Sequence, residues 1–271
     1  MPLLGTPNDW RLKKVMRNTR KLTLSFGKWC PRPVHNFTYP PLDYPSSKPP
    51  HDFAASLGNF LVLAQNTLEK LDLSFAEYIG YYPRLRLPRT RFPWLKELYL
   101  AGVTFSHSTQ VSWITEHWPT LQTLHLIKCP VILEVYTNMQ LDRYQYLIHG
   151  EMAAKFNTLH WQMFWDYVLD QFTGWLDHLR DFHVSFRSDE SDSSMTAWRY
   201  RIYVHGGICT NEQIRRLAEE HLKKDIQAYV RLLKHTGQWK PTNRSAVEEG
   251  EEDLADSTED VDKRKHGKDI E

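Results

Sequence analysis

A short phrase recurs along this chain: leucine, two residues, leucine, one residue, leucine. It reads LEKLDL at Leu68–Leu73, LKELYL at Leu95–Leu100 and LQTLHL at Leu121–Leu126. Weaker echoes are TRKLTL at Thr19–Leu24 and LRDFHV at Leu179–Val184. The last residues of each copy alternate apolar and polar, the pattern of a strand with one buried face, and the first leucine feeds the same core. One copy cannot bury that face alone, whereas stacked copies can. Leu71 and Leu98 are 27 residues apart, Leu98 and Leu124 are 26. Both spacings fit a repeat period of about 20–29 residues. The gaps from Leu22 to Leu71 and from Leu124 to Phe182, 49 and 58 residues, are each close to two periods. A degenerate copy at Phe156–Trp161 (FNTLHW) is expected inside the second gap. The phrase therefore predicts an α/β chain: an irregular leucine-rich-repeat solenoid, with a parallel sheet on its concave side and helices and loops on its convex side.

The strands are expected at Leu22, Leu71, Leu98, Leu124 and Phe182, paired in parallel in chain order. Between them the sequence marks its own helices. Asn8 or Asp9 caps a first helix over Trp10–Asn18. The prolines from Pro31 to Pro50 forbid regular structure and mark a surface loop. Asp52 caps a helix reaching about Asn66, with Phe53, Leu57, Phe60 and Leu61 on one face. Tyr81–Pro93, rich in Arg and Pro, reads as a second, solvated loop. Ser106 or Ser108 caps a helix holding Val111, Ile114 and Trp118. A further helix, Trp161–Trp175, turns Phe164, Trp165, Val168, Leu169 and Phe172 inward. Ser188–Ser194 is a polar loop, and Arg199–Val204 reads as a last strand.

Thr210 with Gln213 makes a capping-box pattern at the start of the longest helix. Ile214, Leu217, Ala218, His221, Leu222, Ile226, Tyr229, Val230 and Leu233 form its apolar stripe, and Glu219, Glu220 and Asp225 fall on its polar side. Gly237 and Pro241 stop it. The repeat domain is thus expected over residues 1–242, closed by a capping helix at about 211–236. From Asn243 to Glu271 large apolar residues are scarce and acidic residues crowd, so a disordered charged tail is expected.

In such a repeat, residues alternating with the core leucines face outward. The central row runs Thr23, Asp72, Tyr99, His125 and His183, flanked by Lys70, Glu97, Thr123 and Asp181. These residue types suit a polar protein-binding face. They are not read as catalytic, because an open sheet does not exclude water from reacting groups. No CxxC, HExxH, glycine-rich phosphate loop or GxSxG elbow occurs, so neither metal nor cofactor is expected. Net charge is +1, which gives no overall field for nucleic acid or an anionic membrane. No stretch of about 20 apolar residues is present, so no spanning helix is expected. Cys30, Cys129 and Cys209 are far apart, which fits a reduced intracellular setting, cytoplasmic or nuclear.

The stretch Leu95–Val131 carries a further pattern: a Leu-rich strand, then Phe105, His107, Trp113-Ile114, His117, Thr120-Leu121 and Cys129-Pro130. It is similar to the C-terminal repeats of filamentous-fungal F-box proteins. The later order of a Trp-rich helix, a repeat strand and an Arg-Tyr strand is similar too. The resemblance covers about Thr19 to Gly206. It implies non-enzymatic substrate recognition within a ubiquitin ligase, with a protein partner or ubiquitination substrate on the concave face. It brings in the Skp adaptor only through an F-box, whose LPxE-type opening these 271 residues do not contain. The other expectation is a stand-alone leucine-rich-repeat scaffold outside ubiquitination.

Overall fold

A computed structural model of the chain describes residues 10–27, 56–82, 84–87, 91–185, 200–204, 207–209 and 212–240. The recurring phrase does what its alternation demands. Strands β1 (Lys21–Phe26), β2 (Lys70–Ile79), β3 (Glu97–Val103), β4 (Thr123–Ile127) and β7 (Asp181–Ser185) form one five-stranded sheet in the order β1-β2-β3-β4-β7. Every neighbouring pair is parallel. The register sets Leu22, Leu71, Leu98, Leu124 and Phe182 side by side, and next to them Leu24, Leu73, Leu100, Leu126 and Val184. The leading leucines Leu68, Leu95, Leu121 and Leu179 are all buried. One backbone device repeats at each step. The carbonyl before each strand accepts two successive amides of the next copy: Arg20 from Glu69 and Lys70, Glu69 from Lys96 and Glu97, Lys96 from Gln122 and Thr123, Gln122 from Arg180 and Asp181. That doubled bond pins the register, because a slip of one residue would turn the leucines outward.

Helices cover the apolar face of this sheet. α1 (Trp10–Met16) precedes β1, and α2 (residues 56–62) places Leu57, Phe60 and Leu61 in the core. α3 (Ser108–Thr115), α4 (Trp165–Trp175) and α5 (Glu212–His235) complete the layer. α1 stops at Met16 rather than Asn18, because the Asn18 amide and Thr19 hydroxyl donate to the carbonyls of Lys14 and Val15. α3 is not capped by a serine. It starts behind extended His107, and the Gln110 side chain accepts the amides of His107 and Ser106. Its buried tryptophan is Trp113, while Trp118 is exposed in the following turn. α4 begins at Trp165 and buries Trp165, Val168, Leu169 and Phe172, with Phe164 half-buried against the same core.

A second sheet corrects the expected repeat count. β5 (Val131–Leu141), β6 (Leu147–His160), β8 (Tyr200–Val204) and β9 (Gly207–Cys209) run in the order β6-β5-β8-β9. Phe156–His160 of FNTLHW therefore lies in β6, antiparallel to β5, and contributes no strand to the repeat sheet. The cause is local. Asp142 accepts the amides of Tyr144 and Tyr146, and Gln145 adopts a positive φ of 65°, which turns the chain into a hairpin. Of the expected last strand, Tyr200–Val204 also joins this second sheet, parallel to β5. The Arg-Pro loop is not wholly solvated either. Tyr81, Tyr82, Leu85 and Phe92 are buried, and Tyr81 and Tyr82 pack with Ile132, Val135, Met139, Tyr146 and Leu147 as a separate core under the hairpin. Arg84 pairs with Asp142 at 2.8 Å and lies 3.8 Å from the Tyr146 ring centre.

α5 departs from its expected polar side at one position. Glu219 and Glu220 are exposed, but Asp225 is only 2% exposed. Its carboxylate accepts the Tyr200 hydroxyl at 2.7 Å and the Asp166 amide at 2.9 Å, and the Tyr200 oxygen accepts the Trp165 amide. An acid from α5 thus satisfies the open N-terminus of α4, where amides lack partners and the helix dipole favours negative charge. The stripe is completed by Ala228 and Leu232, both buried. The expected features at Asn8 or Asp9, Pro31–Pro50, Asp52, Phe53, Ser188–Ser194, Thr210 and the 243–271 tail lie outside the described residues.

Candidate protein-binding face

The alternation that buries the leucines sends their neighbours to the other side of the sheet. Because all five strands share one register, those neighbours line up as rows. Thr23, Asp72, Tyr99, His125 and His183 are consecutive partners across β1, β2, β3, β4 and β7. Thr23 and His183 are exposed, and the other three are half-buried. The row beside it is Lys21, Lys70, Glu97, Thr123 and Asp181.

The rows hold each other in place. Tyr99 meets His125 edge to face with ring centres 4.6 Å apart, and His125 lies 5.4 Å from His183. Lys70 donates to Glu97 at 2.8 Å and sits 4.2 Å from the Tyr99 ring centre. The hydrogen bond with Glu97, helped by its charge, raises the Lys70 ammonium above its usual range, and the same bond lowers the Glu97 carboxyl. At the far end the imidazole of His125 pairs with Asp181 at 2.9 Å. The Gln238 amide, from beyond α5, donates to Asp181 and to the Phe182 carbonyl and accepts the Phe182 amide at 2.7 Å. Tyr99, His125 and His183 thus form one contiguous aromatic group, and Asp72 and Thr23 extend it toward β1. Gln238 has no local sequence signal, since it reaches its partners across 56 residues.

This arrangement offers an aromatic centre packed ring against ring, paired charges around it, and exposed positions at both ends of the row. Among the described residues no three His, Cys, Asp or Glu side chains converge as metal ligands, and no helix is long and apolar enough to cross a membrane.

The residues of the Leu95–Val131 pattern lie elsewhere. Phe105, Trp113, Ile114, His117, Leu121 and Cys129 are buried, and His107 and Thr120 are half-buried. Burial holds the His117 imidazole down to about 4, and its Nε2 accepts the Phe92 amide at 3.1 Å. Burial pushes the Cys129 thiol up to about 12, which makes it a packing group rather than a nucleophile. The motif describes how this repeat packs, not what its face touches. In comparisons with known proteins, no family model, no curated protein and no solved structure matches this chain.

Proposed function

We propose that this chain is a non-enzymatic protein-binding module of leucine-rich-repeat type. In this reading it recognises a protein partner through the row Thr23, Asp72, Tyr99, His125 and His183. The observation that carries the reading is the row itself: five side chains in register across five parallel strands, with a Tyr–His–His group at one end. Rigid aromatics present large contact area at little entropy cost, and such groups dominate protein interfaces. The sequence similarity to fungal F-box proteins refines the proposal. The partner is then a ubiquitination substrate, and the Skp adaptor joins through an F-box carried outside these residues.

Affinity capture from native extract, followed by quantitative binding of the recovered partner, tests both levels. Tyr99→Ala and Asp72→Lys should each weaken that partner by more than about 1 kcal/mol, the scale of a central interface residue. A partner that ignores both changes, yet responds to substitutions on the outer side of α5, sinks the face as the binding site. Stoichiometric Skp adaptor recovered with residues 1–271 alone would remove the need for a separate F-box.

A further inference from the structure

The two ends of the repeat sheet are finished differently. At β7 the Gln238 side chain bonds the Phe182 amide and carbonyl. At the other end β1 is the outermost strand, and no described segment pairs with its outer edge. The Arg20 carbonyl points at β2, where it accepts the Glu69 and Lys70 amides. Successive residues of a strand turn their N–H and C=O to opposite edges, so those of Lys21, Thr23 and Ser25 point away from the sheet. These three backbones have no hydrogen-bond partner among the described residues. Packing is incomplete at the same edge. Leu71 and Leu73 are fully buried, whereas Leu22 and Leu24, their partners in register, are half-buried.

Charge marks this edge as well. From Trp10 to Gly27 there are six Lys or Arg residues and no acid. Arg20 pairs with Glu69 at 3.6 Å, but Lys13, Lys14, Arg17 and Lys21 make no ion pair among the described residues. The turn from α1 holds these cations near the start of β1. In it the Asn18 amide and Thr19 hydroxyl donate to the Lys14 and Val15 carbonyls, and the Thr19 carbonyl accepts the Thr67 hydroxyl. Outward backbone groups, half-covered leucines and uncompensated positive charge thus coincide on one strand. A second copy of β1 would set two cationic segments against each other. A nucleic acid would supply the charge, but neither strand backbone nor apolar side chains. An acidic, amphipathic extended segment supplies all three.

We propose that the outer edge of β1 takes up an acidic extended segment of a protein partner as an added strand of the sheet. Its main chain bonds Lys21, Thr23 and Ser25, which gives affinity. Its apolar side chains lie beside Leu22 and Leu24, and its carboxylates meet Lys21 and the cations at the end of α1, which gives selectivity. This goes beyond the reading of the polar row, because the bonds form at the edge of the sheet rather than on its face.

The probe is a short synthetic peptide alternating Glu with Ile or Val, titrated by NMR against the full chain up to about 1 mM. It should bind, and the amides of Lys21, Thr23 and Ser25 should then exchange more slowly. Two further peptides carry N-methyl groups on alternate, complementary residues. One should bind like the parent and the other at least about ten-fold more weakly, because only one edge of a strand can face β1. A version with Lys in place of Glu should lose at least about ten-fold as well. Thr23→Pro removes an outward amide without touching a bond to β2 and, with its thermal melt checked, should abolish binding. Thr23→Ala, which keeps the amide, should bind like the parent. The N-methylated pair decides the same point without altering the chain. No binding up to about 1 mM, equal affinity of the two N-methylated peptides, or equal affinity of the Glu and Lys versions overturns the proposal. So does tighter binding of a single-stranded DNA oligonucleotide through the same cations, or self-association of the chain that Thr23→Pro removes. Tyr99→Ala serves as the separate arm. It should leave peptide affinity unchanged, so failure of the polar-row reading would not disturb this result.

Discussion

His117 shows how one side chain carries a condition for folding. It is 1% exposed, stacked 5.7 Å from Phe92 and edge-on to Trp113 at 5.0 Å, and its Nε2 must stay unprotonated to accept the Phe92 amide. Unfolded, it would titrate near 6.5; folded, burial holds it near 4. Between those values the unfolded chain binds the extra proton, so stability falls as pH drops from about 6.5 toward 4. The full effect of a shift of that size is about 3 kcal/mol. Urea melts at pH 7 and pH 4, compared between wild type and His117→Gln, should show the variant losing less on acidification. Parallel pH profiles for the two proteins would mean that His117 does not carry this dependence. Gly102 sits at the same scale. With φ at 72° and the Phe75 carbonyl oxygen where a β-carbon would sit, it has no room for a methyl group, which lets β2 and β3 run this close.

At the scale of elements, the legible parts were those written in local periodicity. The leucine phrase located all five parallel strands, because each copy repeats the same alternation. The same alternation placed Tyr99, His125 and His183 on one row. The second sheet was not legible. Its hairpin depends on a side-chain acceptor at Asp142 and a positive φ at Gln145, neither of which leaves a periodic trace. FNTLHW imitates a repeat yet pairs its residues with Glu134, Val135, Tyr136 and Thr137 instead. Asp225 was misread for a related reason: helical spacing assigns a charged residue to water, whereas the tertiary meeting of α5, β8 and α4 gives it the Tyr200 hydroxyl and the Asp166 amide. Tyr200→Phe tests that meeting. It removes the donor to Asp225 and the acceptor of the Trp165 amide while keeping the ring. It should cost about 2 kcal/mol, the range for hydrogen bonds to a charged group. Hydrogen exchange should quicken at the start of α4 and along the facing turns of α5. Unchanged exchange there would mean that the network does not tie the two helices together.

For the whole molecule, the ends of a repeat sheet matter as much as its middle. Each strand between β1 and β7 is satisfied by its neighbours, but a terminal strand presents a row of backbone donors and acceptors that any extended segment could extend. At β7 the Gln238 side chain stands where the next strand would be, giving and taking one bond at Phe182 as a peptide group does. Thr236 and Asp181 hold that amide in place. Among the described residues this glutamine fills the hydrogen-bonding position at Phe182 that a further parallel strand would use, and strands added there would stack head to tail without closing. Gln238→Ala should raise the mass measured by light scattering as concentration increases, relative to the parent chain, with particles that grow in one dimension by small-angle scattering. A variant whose mass tracks the parent at every concentration would place the stop signal elsewhere than in this one amide.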